Sequence, residues 1–312
     1  MRILVTGATG FMGTAVCARL RADGHEVTGF GSRECDLTKQ GNLDIVGSSR
    51  DSGSIRYDQI FHLAAWTQAG DFCLHHPGEQ WILNQQINTN VLEYWHRCQS
   101  QAKMICIGTS CAYAPGTGLE ESTYMEGAPT ESLYTYAMTK RMLYAGLRAL
   151  HKQFGSEYLC AVPSTLYGPG YHTDGRQMHF IFDLIRKITR GKEFGEPVVL
   201  WGDGYQEREL MYLPDFVDKL IRLTPLVKND IVNIGTGEGY TIRYFAGLIA
   251  EIVGYPVENI RYDTARYVGA RSKCLDIKKL RSILGDCPVT SLREGIASTV
   301  AWFYEARAFG CR

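Results

Sequence analysis

The chain has 312 residues, 45% apolar and 21% charged, enough to bury one large core or two modest ones and too apolar for a disordered chain. Thirty-three Lys and Arg balance thirty-three Asp and Glu, so no net field gathers nucleic acid or an anionic membrane, and any phosphate site must be local. The ten cysteines are scattered, without a Cys-x-x-Cys pair or a His cluster at ligand spacing, and we expect reduced thiols, no metal, no membrane span, no secretory head and a cytoplasmic location.

In chain order, residues 2–6 are a β-branched and apolar run that reads as a strand. A glycine turn and a helical pattern through Val16 and Leu20 follow, stopping near Gly24. Strand-like runs recur at 26–30, 59–63, 103–107 and 158–162, with helical stretches at 79–98 and 136–154 and a Ser/Gly-rich surface loop expected over 47–54. This alternation predicts an α/β fold, a Rossmann-type doubly wound parallel sheet covered on both faces. Beyond Pro163 the rhythm loosens into a turn at 167–170, a helix over 177–190, and a helix and strand between Asp215 and Gly235 that return to the sheet. Ser291-Leu-Arg-Glu294 is a capping-box pattern opening a final helix from 292 to about 306.

Gly7-Ala-Thr9-Gly10-Phe11-Met12-Gly13 lies between the first strand and the first helix. Small residues there let backbone amides approach a pyrophosphate, and the helix N-terminus favours its charge. An NAD-selective site usually ends its second strand in an acidic side chain that binds the ribose 2′-hydroxyl. Here the residues are Gly29-Phe30-Gly31-Ser32-Arg33, and a guanidinium beside a serine suits the 2′-phosphate of NADP(H). Asp36 is then placed for the adenine amino group.

Tyr136 and Lys140 stand four apart on a predicted helix and share a face. The hydroxyl-bearing run Gly108-Thr109-Ser110-Cys111-Ala112-Tyr113 follows a predicted strand, at the sheet end where ligands bind. An ammonium beside a phenol is expected to lower its pKa, so that Tyr136 exchanges a proton with a carbonyl or hydroxyl while hydride moves.

Thr6-Gly7-x-x-Gly10-x-x-Gly13, His62-Leu63-Ala64-Ala65 and Tyr136-x-x-x-Lys140 resemble the extended short-chain dehydrogenase/reductases over nearly the whole chain. More narrowly, residues 108–113, Pro163-Ser-Thr-Leu-Tyr-Gly-Pro169, His179 before an apolar helix and Trp201-Gly-x-Gly-x-x-x-Arg208-Glu209 resemble the GDP-L-fucose synthases. Members of that family epimerise a GDP-4-keto-6-deoxyhexose at C3 and C5 and reduce it at C4 with NADPH. The resemblance implies that Tyr136 protonates the 4-keto oxygen, that Lys140 also holds the nicotinamide ribose, and that Thr109 takes a serine's place on the same oxygen, with Ser110 as the alternative register. It implies that Cys111 and His179 remove and return a proton beside the ketone. It places cofactor contacts also at Leu63, Ala64, Ala65, Pro163, Leu166 and His179, and substrate contacts at Thr165, Lys187, Trp201, Arg208 and Arg271. It further implies a homodimer through the helices at 79–98 and 136–154, and an NADP-binding domain of residues 1–165 plus about 215–238 beside a nucleotide-sugar lobe of 166–214 and 239–312.

Departures from the family fall on the substrate side. Thr165 replaces an asparagine, Thr67-Gln68-Ala69-Gly70 replaces Lys-Val-Gly-Gly, Val268 replaces an acid, and Arg271-Ser272 precede Lys273 where an arginine usually does. A related 4-keto sugar therefore stands beside the fucose precursor as a candidate. Competing readings are a nucleotide-sugar epimerase without net redox change, a C4 reductase without epimerisation, and a non-catalytic NADP-binding sensor, the last opposed by the intact Thr109, Tyr136, Lys140 set.

Overall fold

The computed structural model describes every residue except 47, 50–52, 70–71, 117, 175, 266–270 and 307–312. Two positions noted as departures, Gly70 and Val268, lie outside the described residues. One sheet of six parallel strands runs in the order Asp230–Ile234, Tyr158–Pro163, Lys103–Ile107, Gln59–His62, Arg2–Thr6, Glu26–Phe30. Central strands are buried along their length, as the unbroken apolar run Met104-Ile-Cys-Ile107 requires of a strand covered on both faces. The chain builds outward from Arg2–Thr6 to Glu26–Phe30, then crosses back to add Gln59–His62 on the other side. That reversal opens a crevice at the carboxyl ends of the strands, where open α/β sheets bind ligands.

Helices flank the sheet in packed pairs: Phe11–Ala22 with Leu213–Leu226, and Pro77–Cys98 with Tyr134–Phe154. A second apolar core joins the helices Phe180–Phe194, Ile242–Val253 and Leu292–Glu305 through Ile181, Phe182, Ile185, Ile188, Phe245 and Phe303. The stripe Ile181, Leu184, Ile185, Ile188 is core packing, as its helical spacing suggests, while Phe180 is only partly buried. Strand Glu207–Tyr212 crosses this lobe, pairing with Gly239–Thr241, Ser272–Lys273 and Thr165–Tyr167. Phe11, expected only as part of the phosphate loop, packs against both cores and meets Tyr171 and Phe182 edge-on at 5.2 and 5.9 Å.

Three expectations change. The helix predicted over 177–190 is Phe180–Phe194: His179 is its extended N-cap, and Gly195 ends it in the left-handed conformation. Within 47–54, Ser48–Ser49 pairs antiparallel with Gly53–Ser54, a short hairpin where a plain loop was expected. The stretch 239–312 does not pack as one lobe, because Leu275, Ile277 and Leu280 are buried in the sheet's core. The capping box forms as predicted, with Ser291 Oγ accepting from Glu294 N–H and the Glu294 carboxylate accepting from Ser291 N–H.

Candidate active site

The first turn of Phe11–Ala22 has Gly10 as its N-cap, no side-chain cap and no acidic residue, so its amides remain available to an anion. Gly7 holds φ +69°, and a Cβ there would come within 2.8 Å of Ala64 N, while one on Gly13 would overlap the Gly7 carbonyl oxygen and lie 2.8 Å from Ala8 Cα. The loop is thus packed backbone on backbone, a cradle of the size and donor chemistry a dinucleotide pyrophosphate needs. Thr9 and Gly10 are exposed on it, Met12 half-buried.

At the end of the second strand Ser32 and Arg33 are exposed. Two carboxylates near them are already engaged. Glu34 turns back to accept from Gly31 N–H at 2.8 Å, and Asp36 Oδ1 accepts from the Thr38 amide and hydroxyl at 3.0 and 2.7 Å, bonds that hold Asp36 below the usual carboxylate range. Neither use is legible from the linear pattern, which credits Asp36 to the adenine alone.

The half-buried Leu63, Ala64 and Ala65 leave the third strand behind a fully buried histidine. Thr6 Oγ1 bonds His62 Nδ1 at 2.8 Å and His62 Nε2 bonds Asn88 Oδ1 at 3.1 Å. The network continues at both ends, since Thr6 Oγ1 accepts from Ala64 N–H and Asn88 Nδ2 donates to the Thr139 carbonyl. Burial, with Lys140 nearby, pushes His62 down to about 4, so the ring is neutral. This relay ties the cofactor loop to the turn carrying Lys140.

Thr109 caps the short turn Ser110–Ala112, its Oγ1 accepting from Cys111 N–H at 3.2 Å, and the buried Tyr124 hydroxyl accepts from Thr109 N–H at 3.3 Å. The Thr109 side chain acts on Tyr136 in the direction that favours the phenolate; Ser110, the next residue, is half-buried. The expected fall in the Tyr136 pKa does not occur. Burial, reinforced by Cys111 and Cys73, pushes the phenol up and outweighs the opposing effect of Thr109. Lys140 is engaged elsewhere: its ammonium donates to the Ile107 carbonyl at 2.9 Å, and burial holds it below the usual lysine range.

Cys111 meets a partner 162 residues away, Lys273, whose Nζ lies 3.0 Å from Sγ. Burial opposes the thiolate, yet Lys273, Thr109 and Arg208 together bring the thiol below its ordinary range. Arg208 is half-buried, its guanidinium donating to the Glu207 carbonyl at 2.7 Å. His179 is exposed as a residue, yet desolvation of its ring, with Lys273 and His172 nearby, holds it down at about 4. Cys111 and His179, expected to titrate near neutrality, are thus both shifted toward their basic forms, the imidazole down to about 4.

Pro163, Thr165 and Leu166 are half-buried where the fifth sheet strand passes to the strand paired with Glu207–Tyr212. Lys187 ion-pairs with Asp183 at 3.0 Å and sits 5.7 Å from the centre of the exposed Trp201 ring. Arg271 is exposed and contributes its carbonyl to Glu207 N–H at 2.8 Å; Lys273, two residues on, reaches the cleft instead. No group of three or more His, Cys, Asp or Glu suited to a metal occurs among the described residues, and no described helix is long and apolar enough to cross a membrane.

GDP-L-fucose synthase 1 of Arabidopsis thaliana is 29% identical over 312 residues, covering 97% of this chain and 93% of that protein. GDP-L-colitose synthase of Yersinia pseudotuberculosis is 28% identical over 311 residues, covering 97% and 98%. A solved GDP-L-fucose synthetase from Naegleria fowleri bound to NADP shares the fold, with a TM-score of 0.85 at 22% identity over 100% of this chain and 96% of that one. The family model for NAD dependent epimerases/dehydratases matches residues 3–235, from the first strand through the last strand of the sheet, and the chain belongs to that family.

Proposed function

We propose that the protein is an NADPH-dependent 4-reductase, with 3,5-epimerase activity, acting on a GDP-linked 4-keto-6-deoxyhexose or a close relative of it. The observation that carries this reading is the lysine-paired Cys111 on the turn capped by Thr109, at the carboxyl end of Lys103–Ile107, with Thr109 acting on Tyr136. The names of the relatives, which make fucose and colitose nucleotides, support the substrate class, and the NADP of the structural neighbour supports the cofactor.

Gly7, Thr9, Gly10, Phe11, Met12 and Gly13 would hold the NADP(H) pyrophosphate, Ser32 and Arg33 its 2′-phosphate, and Asp36 the adenine. Leu63, Ala64, Ala65, Pro163 and Leu166 would line the dinucleotide, with Lys140 on the ribose and His179 at the nicotinamide end. Bound there, NADPH supplies hydride to C4. Tyr136, kept protonated by burial, donates its proton to the 4-keto oxygen as negative charge develops on it, and Thr109 or Ser110 hydrogen-bonds the same oxygen. For epimerisation, a carbon next to the ketone loses its proton to Cys111 or His179 and regains one from the other on the opposite face. The enolate formed between these steps carries a charge that favours the imidazolium, so His179 takes a proton from solvent and passes it to the carbon, while Cys111 later releases its own proton to solvent. Arg208, Lys187, Arg271 and Trp201 suit the diphosphate and base, with Thr165 beside the sugar.

Incubation with NADPH and a panel of 4-keto-6-deoxy nucleotide sugars tests the reading, through reduced-cofactor absorbance and NMR of the products. Stoichiometric NADPH loss with a C4 alcohol as product is expected. Turnover at constant absorbance would point to an epimerase without net redox, absence of solvent deuterium from the product to a reductase alone, and cofactor binding without any turnover to a sensor. Exposed Trp81, Ile82 and Met142 on the helices Pro77–Cys98 and Tyr134–Phe154 suit a homodimer, for which sedimentation should give twice the monomer mass. The nine described cysteines are free thiols, which suits a cytoplasmic enzyme.

A further inference from the structure

We propose that Lys273 is the positioning residue for the epimerisation base: its ammonium, 3.0 Å from Cys111 Sγ, holds the sulfur as a thiolate aimed into the cleft. This rests on the epimerase reading above for its chemical purpose, but not for its geometry. Strand Ser272–Lys273 runs parallel to Glu207–Tyr212, with Lys273 directly opposite Arg208. Residues in register share a face, so two cations project together toward the thiol. Lys273 has no carboxylate within 4 Å among the described residues, and a half-buried ammonium without one is best satisfied by a negative sulfur.

The backbone carrying Lys273 is clamped. Leu275 N–H donates to Glu209 Oε2 at 2.8 Å, and the buried Glu209 carboxylate also accepts from Thr236 and Gly237 amides at 2.6 and 2.8 Å. One residue further, Asp276 N–H donates to the Leu119 carbonyl at 3.0 Å. A two-residue strand held so closely on its C-terminal side fixes where the lysine stem begins. The charged and titratable groups facing Cys111 are Lys273, Arg208, Tyr136 and Cys73. Burial keeps the phenol and the second thiol protonated, so the two cations decide the sign of the field.

In the step itself the thiolate accepts the proton next to the ketone: the S–H bond forms, the C–H bond breaks, and the electron pair moves into an enolate whose oxygen faces Tyr136 and Thr109. Lys273 exchanges no proton in this step and acts through the sulfur.

The test is the pH profile of iodoacetamide alkylation at Cys111, followed on the Cys111 peptide by mass spectrometry, which needs no substrate. In Lys273→Met the profile should move up by a pH unit or more, and alkylation at pH 7 should slow about tenfold. Lys273→Arg, which restores the charge, should stay within about threefold of wild type, while Lys273→Gln should behave like Lys273→Met. A folded Lys273→Met protein, judged by its thermal melt, that keeps the wild-type profile overturns the proposal. Solvent deuterium uptake into a 4-keto nucleotide sugar without NADPH should fall in parallel with alkylation. If wild type takes up no deuterium while the alkylation profile still shifts, the pairing stands and the epimerase reading is what fails.

Discussion

His62 gives a prediction whose size follows from the structure. Its ring is buried and accepts from Thr6 at Nδ1 while donating at Nε2 to Asn88, whose oxygen, held toward the ring by an amide bond to the Thr139 carbonyl, can only accept. A proton on Nδ1 would face a hydroxyl already aimed at it, in a site without a counter-charge. The folded ring sits at about 4 against an ordinary 6.5, so the unfolded chain binds the extra proton more readily between those limits. Stability from this group is complete above the unfolded value and is lost as pH falls toward the folded one, about 3 kcal/mol in all and about 2 kcal/mol by pH 5. Urea unfolding of wild type and His62→Gln between pH 7.5 and 5 isolates it. The variant, less stable throughout for want of the two hydrogen bonds, should lose about 2 kcal/mol less on acidification. Parallel pH curves for the two proteins would refute the assignment of a buried neutral His62.

Gly13→Ala should abolish NADPH binding while the protein still folds, because the added methyl meets the Gly7 carbonyl and displaces the phosphate loop; calorimetry showing wild-type affinity would contradict this. Arg33→Ala should raise the NADPH dissociation constant about tenfold or more and leave that of NADH nearly unchanged, as loss of a charge-assisted bond to the 2′-phosphate requires. Tyr136→Phe should lower kcat for 4-keto reduction by about 100-fold or more with NADPH affinity preserved, measured by single-turnover absorbance. Ser291→Ala removes one half of the capping box and should cost about 1 kcal/mol in urea unfolding, without effect on turnover.

The sheet strands and the phosphate loop could be read from the sequence because each depends on local facts: apolar runs of four or five residues, and glycines between a strand and a helix. Tyr136 and Thr109 were also within reach, since each follows one regular element and the fold class fixes where such ends lie. The state of the phenol was not. It depends on burial of the ring and on Cys111 and Cys73 beside it, which only the tertiary fold brings together. The Cys111–Lys273 contact joins a turn of the sheet domain to a two-residue strand whose partner is fixed only by tertiary pairing. Likewise the grouping of Leu275, Ile277 and Leu280 with the sheet's core has no mark in a stretch that otherwise supplies the smaller lobe.

NADPH carrying deuterium at its transferable position provides the most direct test of 4-keto reduction at this site. Incubated with the enzyme and a GDP-4-keto-6-deoxyhexose, it should deliver one deuterium to C4 of the product in wild type and almost none in Tyr136→Phe over the same time. A product lacking the label at C4, or equal labelling by the two proteins, would contradict a reduction that depends on the Tyr136 proton.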